Sequence, residues 1–125
     1  MKKILLIEDE GALQKSLGDT FRGAGFEVLS ALDGEAGERL AKKEKPDLII
    51  LDLVLPQKDG LDVFQALKDD PITKDIPVVI LTNLERIEHV EKVLEMGAKT
   101  YLVKSNYTLK EILEKVNQVL SSQSQ

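Results

Sequence analysis

The sequence predicts an α/β fold built on a parallel sheet, and three observations lead there. Short apolar runs alternate with helix-spaced segments along all 125 residues, the pattern of strands joined by crossover helices. Ile4-Leu5-Leu6-Ile7, Leu48-Ile49-Ile50-Leu51 and Val78-Val79-Ile80-Leu81 show no polar alternation, which is how strands covered on both faces read. These runs, and Tyr101-Leu102-Val103 with them, each stop at a polar residue: Glu8-Asp9, Asp52, Thr82 and Lys104. Parallel strands point one way, and ligands bind beyond their carboxyl ends. If the four runs are neighbours, acids, hydroxyl and amine share one edge.

The elements follow in order. A first strand at 4–7 precedes a helix on which Ala12, Leu13, Leu17, Phe21 and Ala24 recur, punctuated by Gly23 and Gly25. Residues 26–30 form a second strand. Asp33-Gly34 opens a helix to about Lys43, and Lys45-Pro46-Asp47 delivers the chain to the third strand. Pro56 and Asp59-Gly60 make 53–60 a loop. Leu61, Phe64 and Leu67 mark a short helix ending at Lys68, and Pro71 and Pro77 bracket the loop before the fourth strand. Ile87, Val90, Val93 and Leu94 share one side of the next helix, which Gly97 closes. After a fifth strand at 100–103, the last helix carries Leu109, Leu113, Val116 and Leu120, with Ile112 and Val119 widening the stripe. A domain at 1–120 is expected, with 121–125 as a polar tail or the start of a linker. Right-handed crossovers would set five helices on both faces of five strands.

Composition narrows the function. Hydrophobic residues are 42% and charged residues 31% of the chain, a balance expected of a soluble globular domain. A net charge of -5 argues against direct nucleic-acid binding. The absence of cysteine excludes disulfides, thiolate metal sites and cysteine nucleophiles. Glu8-Asp9-Glu10 interrupts the first apolar stretch too early for a signal peptide or membrane span, so a cytoplasmic location is expected.

An isolated Asp52 would read as a helix cap or loop carboxylate. Its company changes that, because Glu8 and Asp9 end another strand. Two such charges ~4 Å apart repel by ~4 kcal/mol at an effective dielectric of ~20, so the cluster calls for a counter-ion. Mg²⁺ suits it, being a hard cation that keeps waters a phosphate can replace. Lys104, alone a surface lysine, would there be a mobile charge able to pair with Asp52 or a phosphate on it. Thr82, alone a strand-end or capping residue, could donate its hydroxyl to a phosphoryl oxygen.

The chain resembles a receiver domain of two-component response regulators over nearly its whole length. The matching pieces are Leu5-Leu6-Ile7-Glu8-Asp9-Glu10, Pro46-Asp47-Leu48-Ile49-Ile50-Leu51-Asp52-Leu53, Pro56 with Asp59-Gly60, Val79-Ile80-Leu81-Thr82, and Gly97-Ala98-Lys99-Thr100-Tyr101-Leu102-Val103-Lys104. The resemblance implies a flavodoxin-like sheet of order 2-1-3-4-5. It implies Asp52 as phosphoacceptor and Mg²⁺ held by Asp9, Asp52 and the backbone carbonyl of Val54, with Glu8 acting through a bound water. Lys104 would neutralise the phosphoryl group, Thr82 would move towards it and Tyr101 would change rotamer. A histidine kinase or phosphotransfer protein would be the donor. A downstream protein target or output domain would read the fourth helix, fifth strand and fifth helix, with Ile87, Val90, Ile112 and Val119 as candidate contacts or as ordinary core. No DNA-binding or enzymatic segment follows, which fits a stand-alone receiver or a piece of a longer regulator. No membrane partner is implied. The domain would catalyse only its own phosphorylation and slow dephosphorylation, and is otherwise not an enzyme.

Some residues depart from the family pattern. Ser105 replaces the usual cis proline after the lysine, so a trans bond or an altered loop is expected there. Asn83 stands where the family more often has a small residue, able to narrow access to the phosphoryl group or hydrogen-bond to it. Val54 and Leu84 are apolar where polar residues often position the attacking water, which predicts a long-lived phospho-aspartate. A Mg²⁺-dependent aspartyl phosphatase would need a second acid at Val54. The alternative is a pseudo-receiver acting by protein contacts alone, but its mark would be loss of Asp52, the acidic pair or Lys104. His89, beside Glu88, Glu91 and Lys92, reads as a solvated helix residue rather than a phosphoacceptor. Gly23-Ala24-Gly25 follows a helix and precedes a strand, the reverse of a dinucleotide loop.

Overall fold

In the computed structural model, which describes residues 1–83 and 87–123, the apolar runs become the strands β1 (Lys3–Ile7), β3 (Leu48–Leu51) and β4 (Val78–Thr82). The flanking strands are β2 (Glu27–Ala31) and β5 (Thr100–Val103). All pair in parallel, in the order β2-β1-β3-β4-β5. The helices are α1 (Gly11–Gly23), α2 (Gly34–Glu44), α3 (Gly60–Asp69), α4 (Ile87–Glu95) and α5 (Leu109–Gln123). A 3₁₀ turn, Lys104–Asn106, links β5 to α5. Among the described residues no helix is long and apolar enough to cross a membrane.

Side-chain alternation divides the core between the two faces of the sheet. Leu5, Ile7, Ile49, Leu51, Val78 and Ile80 pack with Ala41 of α2, Val63, Phe64 and Leu67 of α3 and Val93 of α4. Ile4, Leu6, Leu48, Ile50, Val79, Leu81 and Leu102 pack with Leu17 and Phe21 of α1 and Ile112, Val116 and Leu120 of α5. Burying each such aliphatic or aromatic side chain contributes about 1.5–3 kcal/mol, so both faces must be covered for the central strands to be stable.

The caps are encoded locally. Asp33 accepts the Ala36 N–H at 2.8 Å, and Asp59 accepts the Leu61 N–H at 2.9 Å. At the start of α5, the Glu111 N–H donates to the Thr108 hydroxyl at 3.1 Å and the Thr108 N–H donates to the Glu111 carboxylate at 2.8 Å, a reciprocal capping box. Gly60 lets α3 begin against the loop after β3. A Cβ there would lie 2.3 Å from the Leu53 Cα and 2.7 Å from the Asp52 carbonyl oxygen, so any side chain would push that loop off its course.

Several helix faces differ from expectation. Ala12 on α1 and Ala24 just past its end are exposed, and the buried stripe is Gln14, Leu17, Gly18 and Phe21. On α4, Val93 is buried and Val90 half-buried, whereas Leu94 is 44% exposed. One residue of helix turns about 100°, and Val93 takes the inward position. The side chain of Ile87 lies outside the described residues, as does that of His89. The deepest line on α5 is Ile112, Val116 and Leu120, with Leu109, Leu113 and Val119 flanking it. The helix continues through Ser121 and Ser122 to Gln123, since neither Gly nor Pro stops it there. Among the described residues no peptide bond is cis, so Lys104-Ser105 is trans.

Candidate phosphoacceptor and metal site

Strand register assembles the site. Ile7 lies beside both Ala31 and Leu51, so the residues that follow leave the sheet together. The Glu8 N–H donates to the Ala31 carbonyl at 3.0 Å, and the Asp52 N–H donates to the Ile7 carbonyl at 3.0 Å. These bonds extend the ladders one step past the strands and set the Glu8 and Asp52 side chains side by side. On the far side of β4, Thr82 pairs in register with Val103, and the next residue is Lys104.

Lys104 closes the gap between the two carboxylates. Its Nζ lies 2.6 Å from Glu8 Oε1 and 2.7 Å from Asp52 Oδ2. The three side chains are only 14%, 5% and 4% exposed, respectively. The other carboxylate oxygens take backbone donors: Glu8 Oε2 accepts the Glu10 N–H at 2.9 Å, and Asp52 Oδ1 accepts the Val54 N–H at 3.0 Å. Burial pushes the Glu8 carboxyl pKa up, hydrogen bonds from Lys104 and Glu10 oppose this, and the Asp52 charge adds to the rise. Burial alone would lower the Lys104 pKa, but its bonds to Asp52 and Glu8 and their charges outweigh that and raise it.

Asp9 completes the cluster. Glu8, Asp9 and Asp52 each offer a carboxylate oxygen within 4.8 Å of the others, with Asp9 exposed. The cavity they face, about 410 Å³, is lined by Glu8, Asp9, Glu10, Asp52, Val54, Asn83 and Lys104. The cavity is lined by four acidic residues and one ammonium, leaving negative charge in excess. Hard oxygen donors with surplus charge on an open cavity fit a divalent cation such as Mg²⁺.

Thr82 is fully buried as the last residue of β4. Tyr101 on β5 is half-buried, and burial followed by the Asp52 charge raises its hydroxyl pKa. The structure thus brings Glu8, Asp9, Asp52, Val54 and Lys104 to one hollow, with Thr82 and Tyr101 on the adjoining strands. Leu84 lies outside the described residues. Sequence reasoning missed the backbone donors of Glu10 and Val54, which no side-chain identity reveals. It also missed Gln14, whose signal was legible: a polar residue three and seven positions before Leu17 and Phe21 on the buried stripe.

Comparison with known proteins agrees with this fold. The family described as response regulator receiver domain matches residues 4–117. The DNA-binding dual master transcriptional regulator RpaA of Synechocystis sp. is 40% identical over 120 residues, covering 96% of this chain and 49% of that protein. The chain spans about half the length of the curated relatives it matches. A CheY-like response regulator receiver domain protein from Methanospirillum hungatei superposes with a TM-score of 0.90 at 26% identity, covering 99% of this chain and 97% of that one. The Mn(2+)-bound form of response regulator Rcp1 gives 0.78 at 32% identity, covering 97% and 93%. With a family match over most of its length, a CheY-like sheet order and close curated relatives, the chain belongs to the response regulator receiver domains of two-component systems.

Proposed function

We propose that Asp52 accepts a phosphoryl group from a phosphohistidine on a kinase or phosphotransfer protein, in a Mg²⁺-dependent step. The observation that carries this reading is the buried Asp52 carboxylate, held by Lys104 at 2.7 Å and clustered with Glu8 and Asp9 within 4.8 Å. An Asp52 oxygen attacks phosphorus, the P–N bond breaks, and its electron pair returns to the donor imidazole, which takes up a proton. Asp9, Asp52 and the Val54 carbonyl would hold the ion, with Glu8 acting through water; bound there, it supplies charge neutralisation for the phosphoryl oxygens. Response regulator Rcp1, 32% identical, was solved in a Mn(2+)-bound form, which supports a divalent cation here. Lys104, already between two carboxylates, reaches the oxygens of a group placed on Asp52 and stabilises their charge.

The phosphoryl group adds about -1.5 to -2 charge to the site. Thr82 and Lys104 are drawn to it and Tyr101 responds, shifting a balance of forms read on α4, β5 and α5. Val90 and Val119 are half-buried on that surface, whereas Ile112 is 3% exposed and belongs to the core. The net charge of -5 makes protein rather than nucleic acid the direct partner of this domain. Val54, 58% exposed beside Asp52, offers no side-chain hydrogen bond to an attacking water, which favours a long-lived acyl phosphate. Decay of the isolated phosphoprotein within seconds would contradict that point.

The test is intact mass after incubation with acetyl phosphate and Mg²⁺. Wild type gains one phosphoryl group and Asp52→Asn gains none. Failure of wild type to gain it, or equal gain by the variant, overturns the assignment.

A further inference from the structure

We infer that Gln14 is a positioning residue for the acidic pair: its buried side-chain amide holds the peptide joining Glu8 to Asp9, and divalent-metal affinity depends on it. This rests on the reading of Glu8, Asp9 and Asp52 as the metal site. Gln14 sits in the first turns of α1 and is 6% exposed. Its Nε2 lies 3.1 Å from the Leu6 carbonyl oxygen, 3.3 Å from that of Glu8 and 3.0 Å from that of Ala31. A primary amide has two protons, so three acceptors share them.

These acceptors are the carbonyls at the carboxyl ends of β1 and β2, where the chain leaves the sheet. Ala31 O also accepts the Glu8 N–H at 3.0 Å. The backbone of Glu8 is therefore held on both sides, its N–H by Ala31 and its carbonyl by Gln14. That carbonyl and the Asp9 N–H belong to one planar peptide unit. Fixing the oxygen fixes the plane from which the Glu8 and Asp9 side chains depart.

The amide orientation follows from the same contacts, because the reverse would set Oε1 among three carbonyl oxygens. The arrangement carries a penalty: Oε1 is buried with no hydrogen-bond partner among the described residues. A residue serving helix–sheet packing alone would be apolar, as Leu17 and Phe21 are on the same stripe. Here the donors reach three carbonyls at the strand ends, including that of Glu8 just past β1.

The probe is Mg²⁺ alone, titrated by calorimetry into wild type, Asp9→Asn and Gln14→Met. Wild type binds, and Asp9→Asn loses binding. Gln14→Met, similar in length and free of the orphaned acceptor, melts cooperatively near the wild-type midpoint yet binds about tenfold more weakly, the scale seen when a partner behind metal ligands is removed. Binding by Gln14→Met within twofold of wild type, with Asp9→Asn defective, overturns the role of Gln14 and leaves the metal site standing. Absence of Mg²⁺ binding by wild type overturns both. Should Gln14→Met fail to fold, wild type supplies the second measurement. Coupling is reciprocal, so saturating Mg²⁺ shifts the Gln14 side-chain amide resonances and slows their exchange; unchanged resonances overturn the inference.

Discussion

Lys3 and Lys104 stand at opposite ends of the parallel sheet, and each reaches two carboxylates. Lys3, at the amino edge, lies 3.8 Å from Glu27 and 3.4 Å from Glu44, and the three side chains are 29%, 51% and 30% exposed. Lys104, at the carboxyl edge, contacts Glu8 and Asp52 at 2.6 and 2.7 Å, with 14%, 5% and 4% exposure. The charge count is the same. Water screens the first triad and leaves it worth little. The second is withdrawn from water and faces a cavity with a third carboxylate, Asp9. Desolvation there is offset by close, hydrogen-bonded geometry, and a bound cation would offset it further. Burial, not the presence of ion pairs, distinguishes the two edges.

The largest test of that contrast is Lys104→Met. Losing the ammonium leaves two buried carboxylates facing each other. Stability without metal should fall by about 3 kcal/mol, as when one partner of a buried pair is removed. Phosphorylation by acetyl phosphate should slow by about 10²–10³-fold, the scale for loss of a group that stabilises transition-state charge. Urea unfolding and single-turnover mass measurements check the two effects. A stability loss below about 1 kcal/mol would make Lys104 no different from an exposed pair.

Asp9→Asn should act in the opposite sense on stability. It removes one negative charge from a cluster with too many, so the metal-free protein should gain roughly 1 kcal/mol, reduced by the exposure of Asp9. In wild type, Mg²⁺ at a hundred times its dissociation constant should add about 2.7 kcal/mol. The variant should not respond to Mg²⁺. Thermal melts with and without Mg²⁺ read both effects, and an equal response from the two proteins would remove Asp9 from the site.

This contrast was only partly legible in the sequence. The uninterrupted runs around Leu5, Ile49 and Ile80 announce strands buried on both faces, and the polar residues ending them announce an active edge. The strand order is different: runs without alternation carry no information about their neighbours, and the order came from resemblance to a family. The sequence cannot distinguish Lys3 from Lys104 by type, because burial depends on which strands lie alongside. Gln14 was readable as a polar residue on an apolar stripe, but what it bonds to is backbone, whose groups are identical at every position. Leu94 was misplaced because Val93 and Leu94 are both apolar, and only contact with the sheet decides which one turns inward.

Alkaline titration sharpens the contrast further. The folded-state pKa of Lys104 is raised above its usual 10.5. A raised lysine pKa means that the folded form holds the proton more tightly. Its contribution to stability is therefore complete below the unfolded value and disappears as pH climbs through the folded value. The difference in melting temperature between wild type and Lys104→Met, without divalent metal, should be constant around neutrality and shrink above about pH 10.5. A gap that widened with alkalinity would reverse the sign and show that Lys104 is not held by Glu8 and Asp52.

Lys3→Met should give the smallest effect. The Lys3 backbone N–H donates to Asp47 Oδ2 at 2.7 Å, and the Asp47 N–H returns a bond to the Lys3 carbonyl at 2.8 Å. These contacts tie the start of β1 to the approach to β3, and they survive any side-chain change at Lys3. Only the ammonium contacts are lost, at 3.3 Å to the Glu44 carbonyl, 3.4 Å to the Glu44 carboxylate and 3.8 Å to Glu27. The methionine retains most of the aliphatic stem that packs beneath them. Stability should fall by about 0–1 kcal/mol, and added salt should erase the difference because the charges are within reach of solvent. The loss in Lys104→Met should persist in the same salt, since buried pairs are screened much less than exposed ones. Similar salt sensitivity at the two lysines would mean that burial does not divide the two edges of the sheet.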